Sequence, residues 1–335
     1  VSEAPITNAA EGSYPTKPRS GHPSKVAIIG AGAVGSTLAY ACVMKGVARE
    51  VVLQDIAKEK VEAEALDIAH GIQFTPAASV AGSDDVEICR DADVVVITAG
   101  AKQKPGQSRL DLAGATVGIM EKILPNLLKV APNAVYILVA NPVDVVTYCS
   151  LKISGLPENQ MFGSGTVLDT SRLRYLVSLE TGTAVQNIHG YIAGEHGDSE
   201  VPLWSSAQIG GVPLQHWGPT IDGGFFDQAK RDRIAHDVVR SAYRIIEGKG
   251  ATNYAVGLAV SRIIGAVLND EERVLTVSPL LDQWHGISDV CMAVPTIVGR
   301  EGAGRRLDLP LTLDERDRLT ASAERLRSVA RGLGY

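Results

Sequence analysis

From Lys25 onward the chain alternates short apolar runs with longer segments in which apolar residues recur every three or four positions. "KVAIIG" reads as a strand, "GAGAVG" as a glycine turn, "STLAYACVMKG" as a helix closed by Gly46, and "EVVLQD" as the next strand. A charged helix follows near 59–70, then the strand "DVVVIT" ending at Thr98, a helix around 110–130 interrupted at Pro125, and the strand "AVYILVA" running into "NPVD". Strands that are apolar throughout, rather than alternating, are buried on both faces. The pattern therefore predicts an α/β fold, a doubly wound parallel sheet with helices on each side.

After about Ser164 the texture changes. Amphipathic helices are expected over 169–182, 226–248 and 252–269, with strand-like pieces "NIHGYIA", "RVLTVS" and "CMAVPTIV" between them. Thr312, followed three residues on by Glu315, opens a last helix with a capping box. This half reads as a mixed α+β domain closing on the first. The expected organisation is a flexible tail over 1–24, a dinucleotide-binding domain over 25–163 and a substrate domain over 164–335. The tail is rich in Pro, Ser and Gly and lacks the apolar centre of a secretory signal.

Composition narrows the classes of function. A chain of 335 residues, 45% apolar, can bury a sizeable core. Its net charge of −6 gives no broad positive field, so nucleic acid is not an expected partner. No segment approaches the roughly 18 apolar residues of a membrane span, and no membrane association is expected. Cys42, Cys89, Cys149 and Cys291 are widely spaced and form no CxxC pair, as expected of reduced core thiols in a cytoplasmic protein. No metal site is expected.

The turn Gly30-Ala31-Gly32-Ala33-Val34-Gly35 lies between a predicted strand and a predicted helix, and Asp55, 20 residues beyond Gly35, ends the next strand. Bare backbone there lets a pyrophosphate reach the helix N-terminus, where unpaired N–H groups and the helix dipole favour an anion. Asp55 is placed to accept from ribose hydroxyls and to repel a 2′-phosphate, so NAD is the expected cofactor. The same turn could also be a purely structural corner.

Ligands of doubly wound sheets bind beyond the carboxyl ends of the strands. That rule draws attention to Gly100, to Asn141 and to the basic loop "AGAKQKPGQSRLD", which carries Lys102, Lys104 and Arg109 before its first acid. Pro105 and Gly106 shape that loop into a segment able to close over a ligand. Farther on, "IAGEHGDSE" puts His196 on a turn rich in Gly and acids. In "GSGTVLDTSRLRYLV", Asp169 and Arg172 share a helix face, whereas Arg174 points roughly 200° away from Arg172. Asp169 and Arg172 read either as a surface ion pair or as two members of one cleft, and His196 either as a structural hydrogen-bonding residue or as a proton carrier.

The segments "GAGAVG", "AKQKPGQSR", "NPVD", "GSGTVLDTSR", "GEHGDSEVPLWS" and "GKGATNYA" together resemble the L-lactate dehydrogenase family, within the wider group that includes malate dehydrogenases. The resemblance runs from about Lys25 almost to the C-terminus and implies a Rossmann-type first domain. It implies an NAD-dependent oxidoreductase that interconverts pyruvate and L-lactate. His196 then resembles the proton donor and acceptor, Asp169 the carboxylate that orients it, and Arg172 the clamp on the substrate carboxylate. Arg109 would polarise the carbonyl, Asn141 would add a neutral hydrogen bond, and Thr252 would line the pocket near the substrate methyl. Gly30, Gly32, Val34, Gly35, Asp55, Lys60, Gly100, Ala101, Asn141 and Ser164 resemble the cofactor-binding positions.

Two further expectations come with the resemblance. Gln103, six residues before Arg109, occupies the position where malate-type relatives carry Arg, and its neutral side chain suits pyruvate. Arg174 and His189 match cationic positions at which bacterial members bind fructose 1,6-bisphosphate between subunits, with a homotetramer as the expected assembly. The span "VPLWSSAQIGGVPLQHWGP" is a candidate for interface surface. The alternatives are a malate or other L-2-hydroxyacid dehydrogenase, or a catalytically silent NAD-binding homologue.

Overall fold

The computed structural model describes residues 23–101, 109–218 and 220–335. Among the described residues, six strands form one parallel sheet: β1 (Lys25–Ile29), β2 (Glu50–Gln54), β3 (Ser79–Ser83), β4 (Val94–Ile97), β5 (Val135–Leu138) and β6 (Met161–Gly163). They lie in the order β3-β2-β1-β4-β5-β6. The chain turns from one side of the sheet to the other between β1 and β4, and that switch point opens the crevice in which doubly wound sheets take ligands.

The apolar strands are explained by the layers above and below them. Ala27, Ile29, Val95, Ile97, Tyr136 and Leu138 face one core with α3 (Arg109–Val130), α4 (Val143–Ser154) and α8 (Leu313–Gly332). Val26, Ile28, Val94, Val96, Val135 and Ile137 face the other with α1 (Ala33–Lys45), α2 (Lys58–His70) and α7 (Tyr254–Leu268). Each fully buried Val, Ile or Leu contributes about 1.5–3 kcal/mol, so these two layers hold the sheet in place. Helices α7 and α8 come from the second half of the chain, which thereby covers both faces of the first half's sheet.

Between α4 and α7 lie α5 (Val167–Thr181), the short strands β7 (Ile188–His189), β8 (Ile192–Ala193), β9 (Val201–Pro202), β10 (Gln208–Ile209) and β11 (Val212–Pro213), and α6 (Gln228–Lys249). After α7 come β12 (Arg273–Val277), β13 (Leu280–Leu281), β14 (Val290–Cys291), β15 (Val294–Gly299) and β16 (Gly302–Arg306). The Thr312–Glu315 capping box opens α8 as expected, and the Glu315 carboxylate also accepts from the Ser205 N–H and hydroxyl at 3.0 and 2.6 Å. No described helix is long and apolar enough to cross a membrane.

Several expectations are corrected. The helix 110–130 is not interrupted: α3 runs through Pro125, which sits between the buried residues Leu124 and Leu127. A missing N–H costs one hydrogen bond, and packing of that face holds the helix through it. "NIHGYIA" is not one strand; it breaks at Gly190, and its halves β7 and β8 pair with β10 and β9 in separate sheets. Thr252 does not open a helix but lies two residues before α7. Ser24, expected in the tail, accepts from the N–H groups of Arg49 and Glu50 at 3.1 and 3.0 Å. In the span proposed as interface surface, Val201, Leu203, Ile209 and Leu214 are buried within the protomer, while Val212 is exposed. All four cysteines are free and buried, and burial pushes the Cys42, Cys89 and Cys149 thiols up to about 12.

Candidate active site

The glycine turn after β1 uses its three glycines differently. Gly30 has φ +101°, and a Cβ on it would come within 2.9 Å of the Ala99 nitrogen and the Thr98 hydroxyl on the neighbouring strand end. A Cβ on Gly35 would collide with the Gly30 carbonyl, so its bareness lets α1 sit against the turn. Gly32 has nothing within 4 Å of where its Cβ would be. It is the N-cap of α1, offers no side-chain acceptor to the first N–H groups, and is followed by a first turn without acids. The turn thus presents bare, donor-rich backbone to an anion, which fits the pyrophosphate of NAD.

Asp55 reaches this turn from the end of β2. Its Oδ2 accepts from the Ala31 N–H at 2.7 Å and its Oδ1 from the Ala57 N–H at 2.9 Å, which fixes an acid beside the glycine turn. Val34 is half-buried in the first turn of α1, and Lys60 is exposed in the first turn of α2. Across the crevice, Gly100 packs so closely that a Cβ would meet Ala140 at 2.9 Å. The Thr116 hydroxyl, buried in α3, accepts from the Ala101 N–H at 3.3 Å and lies within donating distance of the Leu112 and Asn141 carbonyls at 3.0 and 3.2 Å. It thereby couples the segment after β4 to Asn141, whose side chain is exposed. Ser164, just after β6, donates its N–H to the Leu138 carbonyl at 2.8 Å.

The second cluster is built on the N-terminal end of α5. Asp169 is 2% exposed, and its two oxygens are divided: Oδ1 accepts from Arg172 Nη1 at 2.6 Å and Oδ2 from His196 Nδ1 at 2.6 Å. The surface-pair reading of Asp169 and Arg172 does not hold, because their side chains are 3% and 13% exposed. The side chain of His196 is 28% exposed, so solvent-sized groups reach part of the ring. Since a carboxylate only accepts, Nδ1 carries the hydrogen and Nε2 is left to exchange a proton. Arg172 spends one N–H on Asp169 and keeps the rest of its donor fork.

His196 is held from several sides. Its backbone N–H donates to Asp144 Oδ2 at 2.8 Å, and Asp144 Oδ1 accepts the Ser278 hydroxyl. Next to it the Glu195 N–H donates to Ser322 Oγ of α8 at 2.8 Å, and Gly194 exchanges two backbone bonds with Ala293 at 2.9 and 3.1 Å. Elements distant in sequence thus fix one imidazole. Asp144, Thr116, Ser278 and Ser322 were not singled out from sequence. An acid inside the apolar stretch "PVDVVTYC" was the available signal for Asp144, since such an acid must find donors when buried.

Charge follows this geometry. Burial would depress the imidazole of His196, but the charge and hydrogen bond of Asp169, with Asp144 and Glu200 beyond it, carry it up to about 9. Burial opposes ionisation of Asp169, and the adjacent imidazolium and guanidinium overcome it, holding that carboxyl below the usual range. Burial lifts Asp144 to about 6 against the pull of its two donors. The cluster is therefore an imidazolium and a guanidinium sharing one carboxylate, an arrangement with a proton to give and a fork for an anion.

The remaining predicted residues fall in three places. Gln103, with Lys102 and Lys104, lies outside the described residues, as does the side chain of Arg109, whose backbone opens α3. Thr252 is half-buried ahead of α7. Arg174, on α5, donates from Nε to the Gly190 carbonyl at 3.0 Å and lies over the Tyr191 ring, while His189 of β7 is exposed.

Residues 24–163 match the family model described as lactate/malate dehydrogenase, NAD binding domain, and residues 166–331 the model for its alpha/beta C-terminal domain. The chain belongs to the lactate/malate dehydrogenase family. Within this family it is 59% identical over 313 residues to an L-lactate dehydrogenase of Bifidobacterium animalis subsp. lactis, covering 93% of this chain and 98% of that protein. It is 45% identical over 310 residues to one of Thermoanaerobacter pseudethanolicus, covering 92% and 99%. A solved lactate dehydrogenase from a Medee basin deep-sea metagenome library superposes with a TM-score of 0.88 at 38% identity, covering 93% of this chain and 99% of that one. The minor L-lactate dehydrogenase of Enterococcus mundtii, in a ligand-bound form, gives 0.86 at 38% identity, with 92% and 98% covered.

Proposed function

We propose that this protein is an NAD-dependent L-lactate dehydrogenase that reduces pyruvate to L-lactate and runs the reaction in reverse. The observation that carries the reading is the division of Asp169 between His196 and Arg172. It sets a proton donor and a carboxylate-binding fork a fixed distance apart, as a 2-oxo acid requires. When bound, NADH supplies the hydride that reaches the carbonyl carbon. His196 gives the proton on Nε2 to the carbonyl oxygen, and Asp169 steadies the imidazole in both protonation states. Arg172 holds the substrate carboxylate through its free N–H groups, so the carbonyl faces the imidazole. Arg109 polarises the carbonyl, Asn141 adds a hydrogen bond, and Thr252 lines the methyl end. Of the cofactor positions, Gly30, Gly32, Val34 and Gly35 receive the pyrophosphate, Asp55 and Lys60 flank the adenosine ribose, and Gly100, Ala101, Asn141 and Ser164 line the nicotinamide side. The 25–163 and 164–335 portions act as cofactor and substrate domains, and the enzyme works in the cytoplasm.

Gln103 supports lactate over malate because it brings no charge for a second carboxylate. Gln103→Arg is expected to raise turnover of oxaloacetate and suppress that of pyruvate, each by at least tenfold, since a paired carboxylate is worth about 1.5–3 kcal/mol. A panel of 2-oxo acids with NADH checks it, and an oxaloacetate preference already present in the wild type would overturn the reading.

Regulation by fructose 1,6-bisphosphate at Arg174 and His189 is part of the proposal, supported by the bond from Arg174 to the carbonyl of Gly190, the residue that follows His189. A homotetramer would cover exposed apolar side chains such as Tyr175 and Leu179 of α5 and Tyr254 and Leu258 of α7. Titration with the bisphosphate is expected to lower KM for pyruvate in the wild type and to leave that of an Arg174→Gln variant unmoved. A wild-type KM and sedimentation profile that ignore the ligand would remove this part.

A further inference from the structure

Glu200 ends the loop that carries His196 and leads directly into β9. It is 6% exposed, and its Oε1 is enclosed without a hydrogen-bond partner. Two of the donor atoms around it, Arg172 Nη1 and His196 Nδ1, go to Asp169 rather than to Glu200. The charged groups facing Glu200 are Asp169 and Arg172 from α5 and His196 and Asp198 from its own loop. Asp198 accepts the Tyr243 hydroxyl of α6 at 2.8 Å, while Asp144 of α4 faces His196 at its backbone. An enclosed carboxylate oxygen with no donor, set against a second carboxylate, is costly, and a proton on Glu200 removes the cost.

The protonated form also suits the chemistry. With Glu200 neutral, the hydrogen-bonded trio Asp169, Arg172 and His196 sums to one positive charge, and that trio faces the negative charge of a 2-oxo acid with no further carboxylate from Glu200. With Glu200 ionised the sum is zero. We propose that Glu200 is a positioning residue of the proton-transfer centre, one that keeps its proton through the neutral range and, on giving it up, holds the His196 imidazolium charged. The proposal rests on His196 being the proton donor. Burial and then the Asp169 charge push Glu200 to about 9, against the pull of His196 and Arg172, so the two groups lose their protons over one interval.

Glu200→Gln copies the shape of the protonated acid and cannot ionise. Removing the ionised form withdraws its support from the imidazolium, so His196 should lose its proton earlier. The ratio of kcat/KM for pyruvate at about pH 9 to that at about pH 7 is expected to fall ~2- to 5-fold, the effect of a shift of about half to one pH unit in a group that titrates at about 9. Glu200→Asp, still able to ionise, should restore part of the ratio. Infrared titration of the wild type offers a readout that needs neither turnover nor a variant. A protonated-carboxyl band should persist at about pH 8, where Asp144, at about 6, has already ionised, and should vanish on further alkalinisation. An unchanged ratio in an active Glu200→Gln enzyme, or a band already absent at about pH 7, overturns the proposal. Absence of pyruvate turnover in the wild type would instead overturn the functional reading on which it rests.

Discussion

A His196→Gln enzyme is expected to lose pyruvate turnover by about 10²–10⁴-fold, the range that positioned acid–base catalysis contributes. Gln can keep a hydrogen bond to Asp169 but has no proton to give, so the loss belongs to kcat more than to cofactor binding. The pH dependence should change with it. Pyruvate reduction needs the imidazolium, whose pKa lies at about 9, so the wild-type rate holds through neutral pH and falls as pH rises through about 9. Lactate oxidation needs the neutral ring and should rise through the same interval. In His196→Gln both limbs disappear, leaving a low and nearly flat profile. Stopped-flow NADH absorbance with intact nucleotide affinity separates this result from general damage. Near-normal turnover in the variant would remove His196 from the centre of the scheme.

Arg172→Lys is expected to cost about 2–4 kcal/mol in kcat/KM, roughly 30- to 1,000-fold, with most of it in KM for pyruvate. The charge is kept, so electrostatic attraction alone would predict a small effect. The geometry argues otherwise. Arg172 gives one N–H to Asp169 while retaining a planar fork for a carboxylate, and an ammonium has no such fork to divide. Asp169 would also lose its second donor in a site where it is 2% exposed, which adds a kcat component through His196. An unchanged KM would mean that the substrate carboxylate is held elsewhere.

What could be read from the chain and what could not divides along physical lines. The sheet was legible because "DVVVIT" and "AVYILVA" are apolar throughout, and burial on both faces is the local reason for that. The glycine turn and Asp55 were legible because strand, turn, helix and acid follow within one short stretch. His196, Asp169 and Arg172 could be named, yet their joining through a single carboxylate depends on α5 meeting a loop 27 residues away. Asp144, Ser278 and Ser322 were missed because their partners lie 52, 134 and 127 residues distant, beyond any periodicity. Pro125 misled because a local rule about a lost N–H was outweighed by the packing of Leu124 and Leu127. "NIHGYIA" misled because its β propensity says nothing of which neighbour each half will find. The Gly190–Tyr191 break lets β7 pair with β10 and β8 with β9, the strand that follows the His196 loop.

The central claim is that the shared Asp169 carboxylate organises His196 and Arg172 to reduce pyruvate with NADH. The most direct test is the initial rate of NADH oxidation by the wild-type enzyme with pyruvate and with oxaloacetate, side by side near neutral pH. The account predicts rapid, pyruvate-dependent oxidation with kcat/KM for pyruvate well above that for oxaloacetate. No oxidation with pyruvate, or a clear preference for oxaloacetate, would contradict it.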